Sequence, residues 1–170
     1  MQEVILVNEK DEAIGVMEKM QAHREGKLHR AFSVFLTDHE NKLLLQKRAA
    51  GKYHSPGLWT NACCSHPMPD EDIATAAKRR LKEELGIETG NLQKLFAFEY
   101  KAHLENDLTE HELDHVLLGQ YEGAIAINEE EASETRYFSA KEIEQMLSEN
   151  PNQFTVWFKL IYPKLENYIR

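Results

Sequence analysis

Two cysteines are all that this 170-residue sequence contains, and they are neighbours, Cys63 and Cys64. Bridging them would need a strained ring and would close no loop that restrains the unfolded chain. A disulfide scaffold is therefore excluded, and free thiols in a reducing compartment are expected. Long apolar runs are missing as well. Stretches such as Val4–Val7 and Val116–Leu118 fall far below the ~20 residues needed to cross a bilayer. The opening Met1–Asn8 lacks a basic segment, and its apolar stretch is too short for a secretory signal, so a cytoplasmic protein without membrane contact is expected. Basic charge is in deficit, 20 Lys+Arg against 29 Asp+Glu for a net −9, which argues against a dedicated nucleic-acid binder. No repeat, low-complexity tract or Gly/Ser linker divides the chain. Neither a Gly-x-Gly-x-x-Gly fingerprint nor a Gly-Lys-Ser/Thr phosphate loop is present.

What is present is 42% hydrophobic residues, enough at this length to bury about two-thirds of the unfolded surface in one domain spanning residues 1–170. Charge is unevenly spread. Residues 19–52 carry a net +5, which leaves −14 on the rest. A basic segment in an acidic protein fits either a local anion site or a solvated face.

Short segments rich in branched and aromatic residues predict strands at Val4–Val7, Ile14–Met20, Ala31–Leu36, Leu43–Lys47, Leu92–Tyr100, Leu113–Tyr121 and Thr135–Phe138. Three helices are predicted. One spans roughly Glu71–Leu85, capped by Asp70, with Ile73, Ala77, Leu81 and Leu85 on one face and Gly86 at its end. A second starts at the capping box Ser139-Ala140-Lys141-Glu142, and a third covers about Phe154–Tyr168. Strands joined by tight turns and mixed irregularly with helices favour an α+β layered domain with a mixed sheet over a doubly wound parallel one.

On the first helix Arg80 and Glu84 each lie about 20° from Ile73 around the axis, among the core-facing positions. Two inward charges form either an i,i+4 pair at the edge of the buried face or a pair that serves a ligand or metal. In Glu110-His111-Glu112 an extended chain puts both carboxylates on one face. Their repulsion is relieved by solvent at a strand edge, by a cation between them, or by protonation of one. His23 and His29 bracket a basic loop, and Cys64-Ser65-His66 places a thiol two residues from an imidazole. Three histidines with two or three glutamates would suit Mn²⁺, Zn²⁺ or Fe²⁺. His39, His54, His103, His111 and His115 are read as structural or surface residues.

These pieces are linked in order. Ser65-x5-Glu71-x7-Arg79-Arg80-Leu81-Lys82-Glu83-Glu84-Leu85-Gly86-Ile87 reproduces the spacing of the Nudix box of diphosphate hydrolases, with Ser65 replacing its Gly and Arg80 replacing an acid. Together with Trp59-Thr60-Asn61, Cys64-Ser65-His66-Pro67, Tyr100, Glu110-x-Glu112 and Trp157, the chain closely resembles the type I isopentenyl-diphosphate delta-isomerase family, Nudix-fold relatives that move a double bond by protonation and deprotonation. The resemblance covers nearly the whole chain and implies a Nudix-like α/β/α sandwich with a mixed sheet.

It also implies roles. Cys64 and Glu112 match the two proton carriers, Tyr100 the residue that hydrogen-bonds the carboxyl, and Trp157 the aromatic over the cation; Cys63 sits where a small apolar residue could serve. His23, His29, His66, Glu110 and Glu112 match a divalent site for Mn²⁺ or Zn²⁺. Glu84 matches the ligand of a Mg²⁺ at the diphosphate, and Lys19, Arg48, Lys52 and Arg80 match the diphosphate clamp. The implied partner is a small prenyl diphosphate, taken by a monomer or weak dimer. A Nudix diphosphatase and a catalytically silent prenyl-diphosphate binder are the rival expectations.

Overall fold

The structure is a computed structural model that describes residues 2–169. A hairpin, β1 (Glu3–Val7) and β2 (Ala13–Glu18), leads into a short helix α1 (Lys19–Glu25). Then come β3 (His29–Thr37), β4 (Leu43–Arg48) and two very short strands, β5 (Trp59–Thr60) and β6 (Cys63–Ser65). Helix α2 (Ile73–Leu85) is followed by the long antiparallel pair β7 (Gln93–His103) and β8 (Thr109–Gln120). β9 (Ala132–Phe138), α3 (Ala140–Glu149) and α4 (Val156–Ile169) complete the order.

The sheet is mixed. β3 runs parallel to β8 from His29↔Glu112 to Thr37↔Gln120, while its pairings with β1, β4 and β6 are antiparallel. Alternation along β3 divides the core between two faces. Phe32, Val34 and Leu36 pack with Leu81 and Leu85 of α2, whereas Phe35 packs with Phe158, Ile161 and Leu165 of α4 and Ile143 of α3. Helices thus cover both faces, the layered sandwich expected. Among the described residues no helix is long and apolar enough to cross a membrane.

Several boundaries differ from expectation for local reasons. The strand predicted through Met20 stops at Glu18, whose side chain accepts hydrogen bonds from the amides of Met20 and Gln21 and so opens α1. Glu is an uncommon N-cap and the helix is a mere seven residues, so the pattern of apolar residues did not reveal it. α2 is capped by Asp72, which accepts from the Thr75 amide at 2.8 Å; Asp70 instead occupies a left-handed turn position at φ +66°. Gly86 ends α2 at φ +64°, as its left-handed role requires, and a Cβ there would stand 2.8 Å from that of Ala126. Ser139 caps α3 as predicted, accepting from the Glu142 amide at 3.1 Å. α4 begins at Val156, two residues after the predicted start.

Candidate active site

Four segments converge at one end of the sheet. β8 turns Glu110, Glu112 and Asp114 into the interior, at 3%, 5% and 1% exposure, as the period of two along a strand dictates. Across the β7–β8 ladder Tyr100 faces Glu112, and its hydroxyl bonds both Glu110 Oε1 and, at 2.9 Å, Glu112 Oε1. Across the parallel ladder His29 faces Glu112, so His29 Nε2 lies 3.1 Å from Glu112 Oε2. His66, just after β6, brings its Nε2 to 2.8 Å from the same oxygen and 3.2 Å from His29 Nε2. His23 is carried by α1 and His29 opens β3, on either side of the loop that they were expected to bracket.

The tautomers of this cluster can be assigned. His23 Nδ1 donates to the Lys19 carbonyl at 2.7 Å and His29 Nδ1 to the Lys27 carbonyl at 2.9 Å. Each Nε2 therefore presents a lone pair, and that of His23 is buried with no hydrogen-bond partner. Donor atoms of His23, His29, His66 and Glu112 all lie within 4.8 Å of one another. Lone pairs crowded at 3 Å repel one another unless a cation lies among them, and ligands about 2.1 Å from one ion stand about 3 Å apart when adjacent. The residues fit a divalent ion.

Burial favours the same state. It pushes His66 down to about 4 and lowers His23, keeping both imidazoles neutral. Burial, with the charge of Glu112 next, drives Glu110 well up. Glu112 is also buried, yet the His29 and His66 imidazoles packed against it hold it well below the usual carboxylate range. Like charges this close cannot both be free, and either a proton on one carboxyl or a cation beside them removes the penalty.

Cys64 lies across from Ser33 on β3. Its Sγ–H donates to Asn61 Oδ1 at 3.0 Å, while Trp157 Nε1–H donates to Sγ at 2.8 Å. The Asn61 oxygen is the end available to the thiol, since its Nδ2 is occupied by the carbonyls of Val34 at 3.0 Å and Cys63 at 2.9 Å. Burial, then the nearby Asp114 carboxyl, push the Cys64 thiol far up, so it rests protonated. Cys63 is fully buried but does not act as a plain apolar filler: its Sγ donates to Glu84 Oε2 at 2.8 Å.

Glu84 itself is buried at 5% exposure, and burial raises it against the pull of Arg80. Arg80 lies 3.7 Å from Glu84, 3.4 Å from Glu131 and 2.5 Å from Glu83, so the inward pair on α2 serves a cavity. Arg48 donates to the carbonyls of His54 at 3.0 Å and Ser55 at 3.2 Å. Lys52 reaches Glu131 at 2.7 Å, and Lys19 Nζ sits 4.5 Å above the Tyr53 ring. Burial, then Lys52 and Arg80, lower Lys19.

All of this surrounds one cavity of about 120 Å³. Every residue singled out from the sequence lines it except His23 and His29, which stand behind His66 and Glu112. Sequence reading missed Asn61, Glu131, Tyr53 and the Ser33–Asp114 pair, bonded at 2.7 Å. His54, read from the sequence as structural or surface, is 3% exposed, lines the cavity, and has its Nε2 3.4 Å from Glu110 Oε2. Burial, then Arg48, push this imidazole down to about 2.

Comparison with known proteins follows the same line. Residues 27–158 match the NUDIX domain family. The chain is 47% identical over 166 residues to the isopentenyl-diphosphate Delta-isomerase of Pectobacterium atrosepticum, covering 98% of this chain and 92% of that protein. It is 49% identical over 157 residues to isopentenyl-diphosphate Delta-isomerase 1 of Aromatoleum aromaticum, covering 92% and 88%. The crystal structure of DR0079 from Deinococcus radiodurans superposes with a TM-score of 0.78 at 18% identity, over 95% of this chain and 98% of that one. The NUDIX domain of Shewanella oneidensis NrtR, solved with ADP ribose, gives 0.64 at 13% identity, over 84% and 88%. These two distant structures share the fold; the identity to the curated isomerases holds over nearly the whole chain, and on that ground the chain belongs to the isopentenyl-diphosphate Delta-isomerase family within the NUDIX fold.

Proposed function

We propose that this protein interconverts isopentenyl and dimethylallyl diphosphate by proton transfer through a tertiary carbocation. The observation that carries the proposal is the placement of the Cys64 thiol and the Glu112 carboxyl on the wall of one buried cavity, where burial pushes the thiol up and the neighbouring imidazoles draw the carboxyl down. The reaction adds a proton to C4 of the alkene and removes one from C2, so it needs one group holding a proton and one ready to take it. In the reverse direction the two exchange roles. Tyr100 fixes the carboxyl through its hydroxyl. The Trp157 indole, buried against Cys64, offers a π face that stabilises a desolvated cation by about 2 kcal/mol. General acid–base transfer in such a water-poor cavity contributes roughly 10²–10⁴-fold.

Lys19, Arg48, Lys52 and Arg80 ring the same cavity and would hold the diphosphate, with Arg suited to two parallel hydrogen bonds per phosphate. Glu131, which pairs with Lys52 and Arg80, would give up those partners to the incoming anion. His23, His29, His66, Glu110 and Glu112 would hold Mn²⁺ or Zn²⁺ and Glu84 a Mg²⁺, supplying fixed positive charge beside the proton-transferring carboxyl and beside the diphosphate. We assign the whole chain, residues 1–170, to one catalytic domain working in the cytoplasm as a monomer or weak dimer. Support comes from β1 and β2, which precede the matched NUDIX segment yet join its sheet through Leu6↔His29.

An NMR time course with isopentenyl diphosphate and Mg²⁺ in D₂O tests the reading. Deuterated dimethylallyl diphosphate with no phosphate release is expected. Phosphate release would put the chemistry with the diphosphate hydrolases, and an unchanged spectrum in metal-loaded protein would leave a binding module.

A further inference from the structure

We propose that Cys63, the neighbour of the thiol assigned to proton transfer, is a positioning residue that aims the Glu84 carboxylate at a Mg²⁺ on the diphosphate. The inference rests on the proposed function's assignment of Glu84 and adds the group that orients this ligand. Alternation along β6 sends its two cysteines to opposite faces. Cys64 meets Trp157 Nε1 at 2.8 Å on the cavity side, whereas Cys63, 0% exposed, packs with Ala76, Ala77 and Leu81 of α2. Cys63 does not line the cavity.

Glu84 approaches Cys63 from α2, its backbone fixed where its carbonyl accepts the Asn128 amide at 2.8 Å. The Cys63 thiol donates to Glu84 Oε2 at 2.8 Å, and Arg80 lies 3.7 Å from the same oxygen. Both partners address Oε2, which leaves Oε1 to an ion in the cavity. Mg²⁺ demands near-ideal octahedral geometry and is held by one or two carboxylates together with phosphate oxygens. A buried carboxylate beside the four cationic side chains of the cavity wall suits that arrangement.

The two partners are not equivalent once an anion is bound. Arg80 also faces Glu83 and Glu131 and lines the cavity, so a diphosphate would draw its guanidinium off Glu84. The thiol stands on the core side, out of the anion's reach, and its hold persists. Without it the carboxyl would turn about a terminal torsion whose preference is broad. Groups that orient a metal ligand in this way are worth roughly 10–100-fold in metal affinity, and the weakness of a thiol donor sets the expectation at about tenfold. Cysteine also meets the other demand of the position, a small apolar surface towards α2.

Calorimetric titration with inorganic diphosphate, with and without Mg²⁺, tests the assignment, because a merely structural role would not separate the two affinities. Cys63→Val and Cys63→Ala both remove the donor, and the first keeps the bulk of the side chain. Each is expected to cut the gain in diphosphate affinity that Mg²⁺ brings by about tenfold and to leave the Mg²⁺-free affinity within twofold. Cys63→Ser, which keeps a donor, should recover the gain to within about threefold. Glu84→Gln is the reference and should abolish it. Suppose Glu84→Gln loses the gain while both donor-free Cys63 variants keep it within twofold, or weaken diphosphate binding equally with and without Mg²⁺. Cys63 then does not position Glu84, although Glu84 still binds the ion. If Glu84→Gln keeps the full gain, the Mg²⁺ assignment and this inference both fall.

Discussion

Replacing Tyr100 by Phe removes one oxygen from the cavity and nothing else. That oxygen bonds two carboxylates, Glu110 Oε1 and Glu112 Oε1, in a residue only 8% exposed. The phenol donates towards both carboxyls and so ties the position of Glu112 to that of Glu110. A hydrogen bond to a charged group is worth about 1.5–3 kcal/mol, or roughly tenfold to 150-fold in a rate. We expect kcat of Tyr100→Phe to fall within that range. KM should stay within about twofold, because Lys19, Arg48, Lys52 and Arg80 make no bond to Tyr100. The assay is steady-state conversion of isopentenyl diphosphate, with a thermal melt to confirm folding. A kcat within twofold of the unaltered enzyme, or a raised KM with kcat preserved, would refute the assignment of Tyr100 to the proton-transferring carboxyl.

Cys64→Ser should lower turnover at least 10²-fold while leaving diphosphate affinity, read by calorimetric titration, nearly unchanged; normal turnover would remove Cys64 from the mechanism. Arg80→Glu restores the acid of the Nudix box, yet it should weaken diphosphate binding at least tenfold without releasing phosphate in ³¹P NMR, since the new carboxylate would stand beside Glu83, Glu84 and Glu131 in place of the guanidinium they now face. Stability of chelator-treated protein should fall with acid. The unfolded His66 takes a proton near its ordinary 6.5, whereas the buried one resists until about 4. Between those values the unfolded state binds more protons, at about 1.4 kcal/mol per pH unit, or roughly 3 kcal/mol in all. Urea denaturation at pH 7 and pH 4.5 should show a smaller loss for His66→Gln; an equal loss in both proteins would contradict a buried neutral His66.

The sequence is most informative where a period or a fixed spacing governs position. Alternation along β8 places Glu110 and Glu112 together, and the helical repeat places Arg80 and Glu84 inward. Both outcomes depend on a single element. Residues brought in by the path of a loop or by a distant pairing leave no such trace. His54 points inward because Arg48 folds its loop. Glu131 reaches Lys52 because β9 pairs with β4, with Arg48↔Ala132 in register. Asn61 gains its role only when β6 docks on β3, so that its amide finds the carbonyls of Val34 and Cys63. Helix α1 was invisible for another reason: its start depends on the Glu18 side chain and its stop on Gly26 at φ +65°, with too few residues between for a 3.6-residue repeat to declare itself.

The Nudix box itself shows why spacing alone does not fix the chemistry. Of its glutamates, Glu71 is clamped by Arg79 through bonds of 2.8 and 2.9 Å and accepts the Met68 amide. Glu83 is taken by Arg79 and Arg80. Only Glu84 reaches the cavity, and there it accepts the Cys63 thiol. Two acids of the box are thus held in ion pairs with arginines of α2, and the Arg80 guanidinium faces the cavity beside the third. The groups proposed to handle protons, Cys64 and Glu112, belong instead to β6 and β8. On the proposed reading, one helix with the spacing of a hydrolase would grip, through Arg80, a diphosphate that the remaining residues leave intact.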